Sequence, residues 1–294
     1  MKRFSKFGVA ALVISSTASL ATATHAAESV TIGSANFPES QLLASIYADA
    51  LEAKGIHVDK KLSIGSREIY MPALMDGSID VIPEYTGSVV LYFNKGTKAH
   101  SSAEVTAELP KVLPNKIVAL TPSSAEDKGI LSVTEATAKQ YHIADIADLV
   151  PHGQDFILGG PPEAKDRHEG VPGLNQVYGL KFKSFRPLDL GGPLSLNALL
   201  HNQIQVAVMD STQPELKTKN LVALTDSKNL YMSQNVFPLV AKSKLTPTVQ
   251  TVLDSVSAQL TTSDLISMNQ QLANLEPIDG VAKDWVNAHH LGGK

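Results

Sequence analysis

Tyr85, in the run Pro83-Glu84-Tyr85-Thr86-Gly87, could do binding chemistry: an aromatic face beside a glycine turn can form one wall of a box for a cation, or equally pack into a core. Three arginines, Arg67, Arg167 and Arg186, carry forks that match two carboxylate oxygens. Arg167 lies among Glu163, Asp166 and Glu169, where a surface ion pair is the competing use. Bond-making constellations are scarce. The sequence has no cysteine, no Gly-x-Ser-x-Gly elbow, no Walker-type lysine loop, no Gly-x-Gly-x-x-Gly and no His-Glu-x-x-His. His289-His290 and His168-Glu169 are the metal candidates, and adjacent residues on a helix point in different directions, which suits solvation better than ligation. The expectation is a protein that binds rather than one that catalyses, with no metal and no cofactor.

The elements that must position these residues follow a regular rhythm. Val30-Thr31-Ile32 predicts a strand, Glu39 to Lys54 a helix with Leu43, Tyr47 and Leu51 at four-residue spacing, and Gly55 its stop. A strand near Val58 to Leu62 follows. Gly65-Ser66 then offers an N-cap for a helix to Asp76 closed by Gly77, and Ile79 to Ile82 predicts a buried strand. This alternation predicts parallel α/β sheets, with ligands beyond the carboxyl ends of strands, in the loops at Ser34–Asn36, Gly65–Ser66 and Pro83–Ser88.

An internal echo extends the pattern. Ala73-Leu74-Met75-Asp76-Gly77-Ser78-Ile79-Asp80-Val81 is answered 125 residues later by Ala198-Leu199-Leu200-His201-Asn202-Gln203-Ile204-Gln205-Val206, which sets Tyr85 opposite Asp210 and Thr86 opposite Ser211. Two similar lobes would face each other across a cleft. Lobe one is expected to hold residues 27–129 and 233–294, lobe two the inserted residues 130–232, and the two chain crossings a hinge.

Composition narrows the class. Lys2, Arg3 and Lys6 precede an apolar stretch from Phe7 to Leu20 and the small residues Ala23 to Ala27, the layout of a signal peptide over residues 1–26. Removing those three cations leaves 22 basic against 29 acidic residues, a net charge of −7, which argues against a nucleic-acid partner. Export to a periplasm is expected, with free secretion as the alternative. The absence of cysteine excludes disulfides and a lipidated cysteine anchor.

Gly33-Ser34 with Asn36-Phe37 and Glu39, Ala73-Leu74 to Asp80, and Pro83 to Gly87 together resemble the substrate-binding proteins of osmoprotectant ABC transporters, which capture glycine betaine, choline and related compounds. The resemblance continues through Pro162-Glu163, Arg167, Gly170-x-Pro172-Gly173-Leu174, Tyr178-Gly179, Asn269, Val281-Ala282 and Trp285. It implies the two-lobed, hinge-closing periplasmic binding protein fold (type II-like), a membrane permease as partner, and a monomer. It also implies that Tyr85 is a cage aromatic and Ser88 a polar helper. Other cage positions depart from the family: Gly129, Leu196 and Asp210 stand where tyrosines are usual, with no nearby tyrosine to replace them. A carboxylate at Asp210 favours a cation with N–H donors, an amine, guanidinium or imidazolium, over a quaternary ammonium. The expected contacts are Ser34, Asn36, Tyr85 and Ser88 from one lobe, Arg167 and Asp210 from the other, and Asp127 near the hinge. The expected function is capture of a small cationic or zwitterionic solute, glycine betaine binding weakly. A sensor's binding protein for a non-betaine amine or amino-acid-like ligand, and an exported enzyme on the same fold, are the alternatives.

Overall fold

Helix α1 (Pro38–Glu52) shows how the elements follow from the chain. Pro38 needs no N–H at a helix start, Glu39 complements the positive end, and Gly55 takes the left-handed conformation (φ 80°) just beyond the last turn. Leu43, Tyr47 and Leu51 are all buried, as their spacing predicts. Each such side chain contributes roughly 1.5–3 kcal/mol through burial. The computed structural model describes Met1 and residues 29–292; the basic and apolar stretch expected as a leader, with its cleavage point after Ala26, lies outside the described residues.

The strands are β1 (Ser29–Ala35), β2 (His57–Gly65), β3 (Val81–Tyr85), β4 (Ile117–Ala119), β5 (Gly129–Thr134), β6 (Ile157–Gly160), β7 (Ser184–Pro187), β8 (Val206–Asp210), β9 (Leu221–Ala223) and β10 (Val236–Ala241). They form two sheets of the same plan, β2-β1-β3-β10-β4 and β7-β6-β8-β5-β9. Helices after α1 are α2 (Arg67–Asp76), α3 (Thr86–Phe93), α4 (Ser102–Val112), α5 (Glu135–Tyr141), α6 (Val171–Tyr178), α7 (Pro193–Leu200), α8 (Glu215–Thr218), α9 (Pro247–Ser257), α10 (Thr262–Ala273) and α11 (Ile278–Ala288). Among the described residues none is long and apolar enough to cross a membrane.

The sheets are mixed, not parallel as the rhythm predicts. In each, the first three strands in spatial order are parallel and the fourth runs against its neighbours. The physical reason is the exchange between lobes. The chain leaves the first sheet after β4 and enters the second as β5; it leaves the second after β9 and re-enters the first as β10. Each exchanged strand arrives from the cleft end, where its neighbours finish, and so must run the other way. The two crossing segments hydrogen-bond to each other, Asp127 N to Gln234 O (3.1 Å) and Val236 N to Ala125 O (2.9 Å), and form the hinge.

The internal echo is structural. Strands β3 and β8 sit 125 residues apart and occupy the same place in their sheets. Thr31 N donates to the Asp80 carboxylate (2.8 Å), and Ile157 N donates to the Gln205 amide oxygen (3.0 Å) from the equivalent strand. Gly33 and Gly159 both pack against the matching isoleucine: a Cβ would stand 2.6 Å from Cδ1 of Ile79 in one lobe and 2.5 Å from Cδ1 of its counterpart Ile204 in the other, so that side chain would have to shift.

Candidate ligand-binding site

The carboxyl ends of β1, β3, β6 and β8 open into one cleft of about 360 Å³ between the lobes. Asn36 and Phe37 reach it from the end of β1, Arg67 and Tyr70 from the first turn of α2, and Tyr85 from the end of β3. Asp210, ending β8, and Arg167, in the loop before α6, come from the opposite lobe. The hinge contributes Asp127, Gly129, Tyr231 and Gln234.

Of the expected contacts, Asn36, Tyr85, Ser88, Asp127, Arg167 and Asp210 line this cleft. Ser34 does not, and its expected role is corrected. Its hydroxyl lies within the sheet, accepting from Ser63 N (2.8 Å) and donating to Ala35 O (3.0 Å), because the alternation along β1 turns it inward. Ser88 is already engaged by Gln234, whose amide group both donates to its hydroxyl and accepts from its N–H. Leu196 is half-buried against the small apolar cluster around Ala198 and Ile204, and Arg186 donates to Gln203 on the exposed surface. His289 stacks on Trp285 with ring centroids 4.1 Å apart. Among the described residues no group of three or more His, Cys, Asp or Glu side chains is placed to hold a metal.

Gly129 holds the main surprise. A Cβ there would meet ring carbons of Tyr231 at 3.4 and 3.5 Å, so a tyrosine from the returning hinge segment covers the position where an aromatic is missing. The expectation that no tyrosine replaces it is corrected: the replacement comes from across the hinge, about a hundred residues away in sequence. Tyr231 is buried, and its hydroxyl has no hydrogen-bond partner among the described residues. Phe37, Tyr70, Tyr85 and Tyr231 supply the aromatic surface, Phe37 and Tyr85 with ring centroids 6.2 Å apart.

Charge in the cleft is uneven. Arg67 is locked to Glu84 in a two-point pair, Nε to Oε1 at 2.8 Å and Nη2 to Oε2 at 2.9 Å, with Tyr70 donating to the same carboxylate at 2.8 Å. Arg167 makes a second fork, to Glu68 of α2 across the cleft, at 3.0 and 2.9 Å. Both cations are thus neutralised by the protein. The carboxylates are not balanced in return. Asp127 accepts from Thr212 N (3.1 Å) and Ser211 Oγ (3.2 Å) through one oxygen only. No described residue donates to the Asp210 carboxylate. Burial, then the negative charge of Glu39, pushes both Asp127 and Asp210 well above the usual carboxylate range, and Asp127 is raised further by Asp210.

Glu39 ties this corner together. It accepts from Tyr85 OH (2.7 Å), from Thr212 Oγ1 of the second lobe (2.9 Å) and from Asn269 Nδ2 of α10 (2.6 Å). Burial and the Glu39 charge push the Tyr85 hydroxyl far up, so it remains a neutral donor.

Strand-exchanged sheets, a hinge and a cleft at the strand ends describe a protein that closes over a small molecule. Residues 28–288 match the family described as the substrate binding domain of ABC-type glycine betaine transport systems. The chain belongs to this family. It is 27% identical over 277 residues to a glycine betaine-binding protein of Escherichia coli strain K12, covering 89% of this chain and 90% of that one. A glycine-betaine-binding protein of Pseudomonas aeruginosa is 26% identical over 282 residues, covering 90% and 89%. A crystal structure titled for a glycine betaine/carnitine/choline ABC transporter superposes with a TM-score of 0.70 at 22% identity, over 89% of this chain and 99% of that one. The chain is therefore an extracytoplasmic substrate-binding protein that serves an ABC importer's permease.

For such a protein the Arg167–Glu68 fork is a bridge between lobes. Burial opposes the charge on Glu68, but the guanidinium of Arg167 and the Ser66 hydroxyl outweigh it and hold the carboxyl down to about 2. With the lobes apart the Arg167 contribution is lost and the value rises toward about 4.3, while the Ser66 hydroxyl stays beside Glu68. The bridge therefore favours closure above that value and is lost as pH falls through about 2. Both side chains are partly exposed, so the pair is worth at most about 1 kcal/mol. Glu68→Gln is expected to shift the ligand-free protein toward open lobes by up to about fivefold, seen as a larger radius of gyration in X-ray scattering.

Proposed function

We propose that this substrate-binding protein captures a small cation, or a zwitterion gripped mainly by its cationic end, in the periplasm, and presents it to a permease by closing its lobes. The observation that carries this reading is the charge imbalance of the cleft: both arginines are paired internally, while Asp127 and Asp210 have no compensating cation among the described residues. A bound cation supplies it, and because Asp210 and Tyr85 come from different lobes, filling the cleft favours the closed form. Asn36, Tyr85, Ser88, Asp127, Arg167 and Asp210 are the proposed contacts, with Tyr231 added. Lobe one is proposed to comprise residues 27–129 and 233–294 and lobe two residues 130–232, with the protein acting as a monomer, without nucleic acid and without chemistry on the ligand.

The curated relatives are named for glycine betaine, and this ligand makes the sharpest test. Its quaternary head has no N–H, and its carboxylate meets no free guanidinium unless Arg167 leaves Glu68. Isothermal titration of protein freed of carried-over ligand by unfolding and refolding is expected to show weak or no binding of glycine betaine. Micromolar or tighter affinity would overturn the charge accounting.

A further inference from the structure

The open hydrogen-bonding groups of the cleft specify what kind of cation fits. Most polar groups lining it are spoken for: Arg67 by Glu84, Arg167 by Glu68, Ser88 by Gln234, and Tyr85 by Glu39. Asp189 caps α7, accepting from Leu194 N (3.0 Å) and Ser195 N (2.8 Å). What remains open near the hinge is an acceptor set. Among the described residues the Asp210 carboxylate has no donor and Asp127 has one oxygen unused. Gly129 pairs with Asp210 across β5 and β8, and Asp127, two residues before Gly129, accepts from the Ser211 and Thr212 that follow Asp210, so the two carboxylates converge on one corner of the cleft beside the Tyr231 ring that covers Gly129.

We propose that this corner recognises its ligand through N–H donors, holding a protonated amine or guanidinium-type head between Asp127 and Asp210 and against Tyr231, and that it disfavours a fully methylated ammonium. The inference rests on the cation reading given above. A primary ammonium offers three donors and a guanidinium five in a planar fork, enough to satisfy both carboxylates together. A quaternary ammonium presents only methyl groups. It would satisfy the charge but leave the same oxygens desolvated and without donors, a loss that ring faces must offset. In a site built from aromatic faces alone, methylation strengthens binding; in this one it weakens it. The sign of the methylation effect therefore separates the two.

The experiment titrates ethanolamine, 2-(dimethylamino)ethanol and choline into the ligand-free protein near neutral pH, three probes that share a hydroxyethyl arm and differ in the number of N–H donors. Affinity is expected to fall along the series, choline binding at least about tenfold more weakly than ethanolamine. Affinity that rises with methylation overturns the inference and leaves the cation reading standing. No heat from any of the three, together with binding of glycine betaine, overturns both.

Discussion

Replacing Arg67 with methionine is expected to lower the stability of the folded protein by about 3–5 kcal/mol, measured by urea unfolding at neutral pH. Glu84 has no solvent exposure, and Arg67 supplies two of its hydrogen bonds and, among the described residues, its one compensating charge; Tyr70 OH and Tyr85 N remain as neutral donors. Removing the arginine strands a charge in the core rather than merely deleting a contact. The double variant Arg67→Met, Glu84→Gln removes both charges and is expected to recover most of the loss, which distinguishes a stranded charge from a packing defect. A double variant no better than the single would refute this account. The consequence reaches the cleft, because the same first turn of α2 carries Glu68 to Arg167 and sets Tyr70 in the wall.

The repeat that organises both lobes was legible in nine residues because it is made by local chemistry. A helix end, a turn and a strand must be written in neighbouring residues, and Ile79 with Ile204, and Asp80 with Gln205, perform matching tasks in the two sheets. The polarity of the exchanged strands was not legible. It depends on which lobe the chain arrives from, and nothing within Gly129–Thr134 or Val236–Ala241 encodes that. The site divides in the same way. Tyr85, Asp127 and Asp210 follow from their place at strand ends and crossings, whereas Ser34, one residue before the end of β1, faces inward by the alternation of the strand. The Arg67–Glu84 pair joins residues whose separation by a helix and a turn hides the contact. Tyr231 is hidden more deeply. It precedes β10 in an irregular stretch with no periodicity, and only the meeting of the two crossings brings it to Gly129. A lone aromatic in a loop that leads back to the first lobe is the one local signal that marks it.

Asp210→Asn separates the demands of binding from those of folding, since the two are expected to change in opposite directions. For ethanolamine, loss of the carboxylate is expected to cost about 2–4 kcal/mol of affinity, roughly a 30- to 1,000-fold weaker complex by calorimetric titration. The ligand-free protein, however, is expected to gain stability, because the substitution relieves a poorly hydrated charge facing Glu39 from α1 and Asp127 from the hinge, with Tyr85 beyond them at the end of β3. A carboxylate raised by folding contributes stability at pH below its unfolded value of about 3.9, and that contribution is lost as pH rises through the folded value. The stability advantage of Asp210→Asn should therefore widen with pH. Binding follows the complementary course. A cation favours the ionised form of both aspartates, so its capture releases protons and its affinity rises with pH until both are ionised; the variant has one such group fewer and a shallower rise. An Asp210→Asn protein that keeps full affinity with an unchanged pH slope would show that Asp127 alone supplies the charge. A variant that loses affinity and stability together would place Asp210 in the scaffold. Opposite signs arise only where a site holds poorly hydrated carboxylates, costly to ionise, in the empty state and compensates them when the ligand arrives, which is how a cleft whose described arginines are already paired becomes selective for a cation.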